Sequence, residues 1–470
     1  MEMKKNRIAL IVDNPLRDLD GMTLLACALV EKGAEVYLVP MYEQLLETAA
    51  LRPDLILLNY LRSTNCDLAK AYSSGGILVG VLDTEGGVIN DVDRNFAGLV
   101  QRSGAAACAD MYCLWGKNQY DALVRNKVLP ESRLYLTGCP RYDYCAAPWR
   151  DALPSSGGGR PVILVNTRFP LIFPKYRKNV EQEIQTMKSV GFSEAYAREY
   201  ARQCYLVWAE MVRSTAELAK AHAEADFVLR PHPFEDKAIY ESLFGDIPNI
   251  KVIQENSSLY WIKSSRLLLH RDCSTAIEAA FLGVEPVSME WIDAPILHTP
   301  VPAAVSCPAA SREQLAALVA GALQGRPPLP PAATLEARKT LVRDWFYAMD
   351  GNSSERVAAA IFETIAKSAR VKKLSGGKMV FRTGGAAKTG KELLKFLFKS
   401  AFGLKNYDRL KSGLFKKPAS GSKYFSPGEV SAIVRRLAAV KPAYSGFKIE
   451  RSPAVIPGLA RSSFSIKISS

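Results

Sequence analysis

The chain has 470 residues, 48% of them apolar, enough to build two packed domains and too little compositional bias for a disordered or fibrous protein. Its formal net charge of +14 is unevenly spread: residues 367–470 hold 23 Lys and Arg against 4 Asp and Glu, leaving 38 basic and 43 acidic residues in the first 366. The nine cysteines form no C-x-x-C pair, which excludes zinc-ribbon spacing and reads as buried thiols in a reducing compartment.

The basic residues 1–6 precede an apolar run, 8–12, that is too short for a signal-peptide core or a membrane span, so neither export nor a transmembrane helix is expected. Short apolar runs at 7–12, 36–39, 54–59, 77–82, 112–115 and 134–136 alternate with helix-like segments such as 22–32. That alternation predicts a parallel sheet wrapped by helices. The stretch Pro154-Ser155-Ser156-Gly157-Gly158-Gly159-Arg160-Pro161 is the strongest linker signal, because glycine removes backbone preference and proline forbids helix continuation.

Beyond the linker, strands are expected at 162–165, 227–229, 251–253, 266–269 and 286–288, with a long helix at 194–223. A Pro-rich bend at 326–331 precedes helices at 335–349 and 354–369, which could return across the first domain. Two α/β halves facing a cleft, closed by returning helices, form the GT-B architecture. The expected domains are 1–153 (Rossmann-like, acceptor side), 161–369 (Rossmann-like, nucleotide-sugar side, with the returning helices) and 370–470 (a basic helical tail).

In the tail, Lys391, Lys395 and Lys399 recur every fourth residue on one helical face, while Leu393, Leu394, Leu397, Phe398 and Ala401 fill much of the remainder. This basic amphipathic helix reads either as an interfacial membrane helix or as a helix whose apolar face docks on its own body. Ser426-Pro427-Gly428-Glu429 has the form of a capping box with proline at the first helical position, so a further helix is expected at 427–440.

Three polar motifs carry the chemistry. Asp83-Thr84-Glu85-Gly86-Gly87 directly follows a strand, which puts its acids at the carboxyl edge of the sheet, where open α/β sheets bind ligands. A carboxylate there can act as a general base; the alternative is that Asp83 caps a turn, Glu85 is solvated and the glycines form a tight bend. Arg230-Pro231-His232-Pro233 ends another strand and holds a cation and an imidazole in a proline-stiffened loop. His232 can donate to a leaving phosphate and Arg230 can offset its charge, or the His-Pro pair is structural.

The third motif runs from His270 through Asp272, Ser274 and Thr275 to Glu278. Ser274 and Thr275 fall at a helix start, where N–H groups and the helix dipole bind phosphate, and Glu278 lies one turn later, placed to accept bonds from a ribose. The alternative is an ordinary N-cap by Asp272 or Ser274. Asp91-Val92-Asp93 has the D-x-D form but sits in a polar loop without a companion ligand, and neither metal nor cofactor is expected. Walker, G-x-G-x-x-G and G-x-S-x-G motifs are absent from the sequence.

In this order the motifs resemble those of bacterial sialyltransferases and polysialyltransferases: an acidic motif ending in glycine, then His-Pro, then a hydroxyl pair. Gly138-Cys139-Pro140-Arg141-Tyr142-Asp143 and Asn166-Thr167-Arg168-Phe169 extend the likeness. Over about residues 7–366 the chain is similar to bacterial surface-carbohydrate (polysaccharide) biosynthesis proteins of GT-B type, and to Kdo transferases. The resemblance implies that Glu85 is the base and that His232, Ser274 and Thr275 contact the phosphate of a CMP-sugar. Arg230, Pro233, His270 and Glu278 would complete the donor site, with Asp83, Gly86 and Gly87 on the acceptor side. The chain departs from the pattern at Thr84, where an acid is usual, and at Cys139, where Asn is common.

The motifs and the resemblance together imply an inverting, metal-independent glycosyltransferase that uses a nucleotide-activated sugar, a CMP-linked acidic sugar, with a glycan or glycolipid acceptor in cell-surface polysaccharide or capsule biosynthesis. It is expected in the cytoplasm, peripheral on the inner face of an anionic membrane through 370–470. Nucleic acid is not expected, because few aromatics interleave with the charges of the tail. The rival readings are a CDP-glycerol-type polyol-phosphate transferase, a nucleotide-sugar 2-epimerase, and a non-catalytic module that binds polyanions or membrane.

Overall fold

The apolar runs of the first third each become a strand. β1 (Arg7–Val12), β2 (Glu35–Pro40), β3 (Leu55–Leu58), β4 (Leu78–Leu82), β5 (Met111–Leu114) and β6 (Leu134–Leu136) lie parallel in the order β2-β1-β3-β4-β5-β6. Every residue of β3 and β4 is buried, as befits strands covered on both faces. The computed structural model describes residues 5–62, 65–84, 88–89, 91–154, 159–189, 191–369, 385–415, 423–452 and 463–470. Helix α1 (Pro15–Glu31) starts well before the expected residue 22, because Asn14 accepts the Leu16 N–H and Pro15 presets the first turn. Helix α2 (Gln44–Leu51) follows β2.

Contacts divide the chain into two compact units, residues 1–152 with 341–470, and residues 153–340. The second unit is built on β7 (Val162–Asn166), α3 (Glu194–Ala221), β8 (Asp226–Arg230), β9 (Ile250–Val252), β10 (Leu267–His270), α4 (Thr275–Leu282), β11 (Glu285–Met289) and β12 (Cys307–Ala309). Its six strands are parallel, in the order β12-β11-β10-β7-β8-β9, around a core that includes Ile163, Val165, Phe227, Leu229, Leu269 and Val287. The chain is therefore α/β, with two Rossmann-like sheets of the kind expected of a GT-B protein.

The helix expected at 335–349 is interrupted: a regular helix ends at Leu341, and Tyr347 takes a φ of 59°. Residues 341–369, grouped with the second domain in the sequence reading, belong to the first unit. Helix α5 (Ser353–Ala366) is held there by Asp143, whose buried carboxylate accepts the N–H groups of Ser353 and Ser354 at 2.8 and 2.7 Å and the Ser354 hydroxyl at 2.8 Å. Gly138 has a φ of +73°, and a Cβ there would lie 2.5 Å from Ser353 Oγ, so only glycine fits this joint. The Gly138–Asp143 motif thus staples the returning helix.

The tail also departs from the expectation of a separate basic segment. Helices α6 (Gly385–Phe402), α7 (Leu404–Phe415) and α8 (Pro427–Val440) lead into β13 (Lys448–Arg451) and β14 (Ile466–Ser469). β14 pairs antiparallel with β2, setting Ile466 opposite Leu38 and Ile468 opposite Val36, and β13 forms the new edge of an eight-stranded sheet. The capping box at Ser426 and Glu429 forms in full. Phe396, Phe425, Val430, Leu437, Tyr444, Phe464, Ile466 and Ile468 are buried. The tail cations pair with acids near the start of the chain: Lys399 with Glu43, Lys423 with Asp13 at 2.5 Å, Arg436 with Asp20 at 2.8 Å, Lys441 with Glu31 at 2.5 Å and Lys467 with Glu35 at 3.3 Å. Among the described residues, no helix is long and apolar enough to cross a membrane.

Candidate functional site

In the second unit, strand order does what sequence spacing cannot. β10, β7 and β8 are neighbours, so their carboxyl ends bring together three loops that begin near residues 166, 230 and 270. This is the edge at which parallel sheets bind ligands. Asn166 Nδ2 donates to Thr275 Oγ1 at 2.8 Å, tying the first loop to the third. Arg168 Nη1 donates to the Asp272 carbonyl at 2.7 Å and to Thr299 Oγ1 at 2.8 Å, fixing the same pair of loops a second time.

Arg230 is buried at the end of β8 and donates to the carbonyls of Glu255 and Asn256 at 2.6 and 3.0 Å. Burial pulls its guanidinium down to about 10 against the opposing pull of Glu278 and Glu255. Its guanidinium donates to neutral carbonyls, while the nearby Glu278 and Glu255 carboxylates offset part of its charge. Glu278 is itself buried and accepts the Ser258 hydroxyl at 2.8 Å.

His232 is half-buried, next to the half-buried Pro233. Its Nδ1 accepts the Phe234 N–H at 3.2 Å, which puts the proton of the neutral ring on Nε2. The loop is set by Glu235, which the sequence reading missed. Its fully buried carboxylate accepts the N–H groups of Phe169 and His232 at 2.6 and 3.1 Å and the hydroxyls of Thr167 and Tyr240 at 2.8 and 2.7 Å. Burial raises the Glu235 carboxyl and the four donors oppose that rise. The one sequence signal was an acid three residues after His232, which the two prolines overshadowed.

At the start of α4, neither N-cap alternative forms. Asp272, with a φ of 57°, spends its carboxylate on the Thr299 N–H at 2.8 Å and on Arg271, and Ser274 makes no side-chain cap. Ser274 is exposed, while Thr275 Oγ1 is engaged by Asn166 and by Cys273 Sγ. His270 does not join this group. It is fully buried, its Nε2 bonds Ser306 Oγ at 2.8 Å, and its Nδ1 accepts the Cys273 N–H at 3.3 Å. Burial, and secondarily Arg271, push its pKa to about 3, so His270 is a neutral core residue with both nitrogens used internally.

In the first unit, Asp83 and Thr84 end β4 at the carboxyl edge; Glu85, Gly86 and Gly87 lie outside the described residues. Asp83 is buried and paired with Arg62 at 2.6 Å. Arg17 bonds Asp18 at 2.6 Å, Asp13 at 3.3 Å and Thr84 Oγ1 at 3.4 Å, and Lys423 from the tail closes on Asp13. A recess beside this network is lined by Asp18, Gly21, Thr84, Cys139, Pro140 and Arg141. The sequence reading found Asp83 but missed Arg17, Arg62 and Lys423, the last of which lies more than 400 residues from Asp13 in the chain. Asp93 of the D-x-D stretch is occupied by Arg125 and Asn126 at 3.0 and 2.7 Å.

No protein-family model and no curated protein matches the chain. Solved structures with a similar course include a Listeria monocytogenes protein assigned as a UDP-N-acetylglucosamine 2-epimerase, with 14% identity, 79% of this chain and 100% of that chain covered, and a TM-score of 0.48. The Neisseria meningitidis UDP-GlcNAc 2-epimerase bound to UDP-GlcNAc shares 12% identity over 76% of this chain and 100% of its own, with a TM-score of 0.44. The calicheamicin glycosyltransferase shares 13% identity over 78% and 100%, with a TM-score of 0.40.

Proposed function

We propose that the protein is an inverting glycosyltransferase that takes a nucleotide-activated sugar, a CMP-linked acidic sugar, and passes it to a glycan or glycolipid hydroxyl. The observation that carries this reading is the convergence of the Asn166, Arg230 and Ser274 loops on adjacent strand ends, with a buried cation and an uncapped helix start. That combination suits the phosphate of a nucleotide, and Glu278 is assigned to the ribose hydroxyls. In this reading Arg230, the Nε2–H of His232 and the Ser274 hydroxyl stabilise the departing phosphate, while Glu85 takes the proton of the acceptor hydroxyl. Asp83, Gly86 and Gly87 are assigned to the acceptor side. The acceptor oxygen bonds the anomeric carbon as the bond from that carbon to the phosphate oxygen breaks, and the cytidine monophosphate leaves with the electron pair.

The test is to incubate the purified chain with CMP-, UDP- and CDP-linked donors, with and without glycan acceptors, and to measure nucleotide release and product mass. Release of CMP with a glycosylated acceptor is expected. Transfer of a polyol phosphate from a CDP-linked donor, or inversion at C2 of a UDP-sugar without transfer, would overturn the assignment in favour of a rival chemistry. Absence of binding to any donor would leave only the non-catalytic reading.

A further inference from the structure

Helix α6 buries one of its lysines while leaving apolar side chains in water. Its inward face carries Phe396 and Lys399, both buried. Phe396 packs edge-on against Phe464 with centroids 5.5 Å apart. The Lys399 ammonium pairs with Glu43, bonds Tyr424 at 3.1 Å and lies 5.6–6.0 Å from the ring centroids of Tyr407, Tyr424 and Phe464. The unit has therefore buried Lys399 and left Leu393 and Leu394 exposed, with Leu397 and Phe398 half-buried. Leu393 is 37% exposed, Leu394 69% and Phe402 59%, and Leu410 of α7 adds 43%. In water alone the opposite mounting would be favoured, because a lysine is costly to bury and a leucine is not.

The charges around this face say what covers it. Residues 385–415 hold seven Lys and Arg against two acids. Lys395 is paired with Glu392 and Lys399 with Glu43, whereas Lys391 and Lys405 are exposed and have no ion pair among the described residues. A two-fold interface with a second copy would set this cationic rim against itself. An anionic bilayer matches both halves of the pattern, since its acyl boundary takes Leu and Phe and its phosphates take the lysines.

We propose that the face formed by Leu393, Leu394 and Phe402 of α6 with Leu410 of α7 lies on an anionic membrane surface, with Lys391 and Lys405 among the head-group phosphates. This does not depend on the transferase reading, because none of these residues belongs to the donor or acceptor groups. The full chain is the species to test, since the tail folds with the first unit.

The assay is co-sedimentation with phosphatidylcholine vesicles containing phosphatidylglycerol as the minor lipid, and with phosphatidylcholine alone, at low and high salt. The wild-type chain should prefer the anionic vesicles, and salt should weaken but not abolish the binding. Leu394→Ser/Phe402→Ser should lower partition at least about tenfold while leaving the melting temperature unchanged, because both side chains are already exposed. Lys391→Glu/Lys405→Glu should remove the preference for anionic lipid. Equal sedimentation of wild type and the Leu394/Phe402 variant overturns the proposal. So does failure of the wild type to sediment with either vesicle, or a wild-type dimer that the same variant dissociates.

Discussion

Glu47 offers a test of how the tail is held. It is fully buried on α2 and faces the tail, accepting the Phe464 N–H at 2.6 Å and the hydroxyls of Ser465 and Ser463 at 2.8 and 3.2 Å. Burial raises its carboxyl to about 7, with those donors pulling against the rise and Glu43 adding to it. A carboxyl that ionises near 4.5 in the unfolded chain but only near 7 in the folded one gives stability that is complete below the lower value and lost as pH rises through the upper one. The loss across that window is about 3 kcal/mol, at 1.36 kcal/mol per pH unit. Glu47→Gln keeps an acceptor for the Phe464 N–H and carries no charge. The variant should match wild type near pH 4.5, exceed it by up to about 3 kcal/mol at pH 8, and flatten the pH dependence of stability. Urea unfolding followed by circular dichroism at both pH values measures this, with hydrogen exchange at β14 reporting the local contribution. If Glu47→Gln is less stable than wild type at pH 8, the three donors outweigh burial and the reasoning is wrong.

Lys399→Met leaves the Glu43 carboxyl buried without its cation and should cost about 3–5 kcal/mol, whereas Lys399→Met with Glu43→Gln should recover most of that loss in the same unfolding assay. Truncation after Ala369 removes Phe396, Phe425, Val430, Ile433, Val434, Leu437, Tyr444, Phe464, Ile466 and Ile468 from the core. At about 1.5–3 kcal/mol per buried side chain this rivals the whole stability of a domain, so the shortened chain should aggregate or lose its cooperative melt. Glu235→Ala should loosen the His232 loop and raise KM for the donor, while Glu235→Gln should retain much of the activity; equal kinetics for wild type and both variants would remove the positioning role. Glu85→Gln should lower kcat about 10²–10⁴-fold with donor affinity unchanged in calorimetry, and near-normal turnover would eliminate it as the base.

The sequence disclosed what is local. A buried parallel strand is a short apolar run, and the runs behind β1–β11 were visible on that ground, as were the Ser426 capping box and the Arg230 and Ser274 strand ends. Three-residue β12 contains Pro308 and offers no such run. β13 and β14 are strands only because the exposed edge of β2 awaits them, and their alternation is too brief to declare itself. His270 and His232 look alike in sequence, each at the end of an apolar run. Only the packing shows that the first ring turns inward onto Ser306 and the second lies in a half-buried loop. Glu235 was invisible for the same reason, since its Thr167, Phe169 and Tyr240 donors come from segments that the sequence alone cannot place beside it.

The charge asymmetry has a similar physical origin, and it alters what the tail's charge can do. Read along the chain, a basic final quarter beside an acidic remainder suggests a free polycation. In the fold, five of those cations meet Asp13, Asp20, Glu31, Glu35 and Glu43, all within the first 43 residues, and two of the acids, Asp13 and Glu43, are buried. Buried carboxylates without partners would be costly, so these five cations are committed to the body and are not available to a polyanion. Among the described residues, the α6–α7 surface sets Lys391 and Lys405, which make no ion pair there, beside exposed Leu394 and Phe402. A polyanion such as nucleic acid would use the lysines and leave the leucines in water, whereas an anionic lipid surface uses both, and that difference separates the two readings on physical grounds.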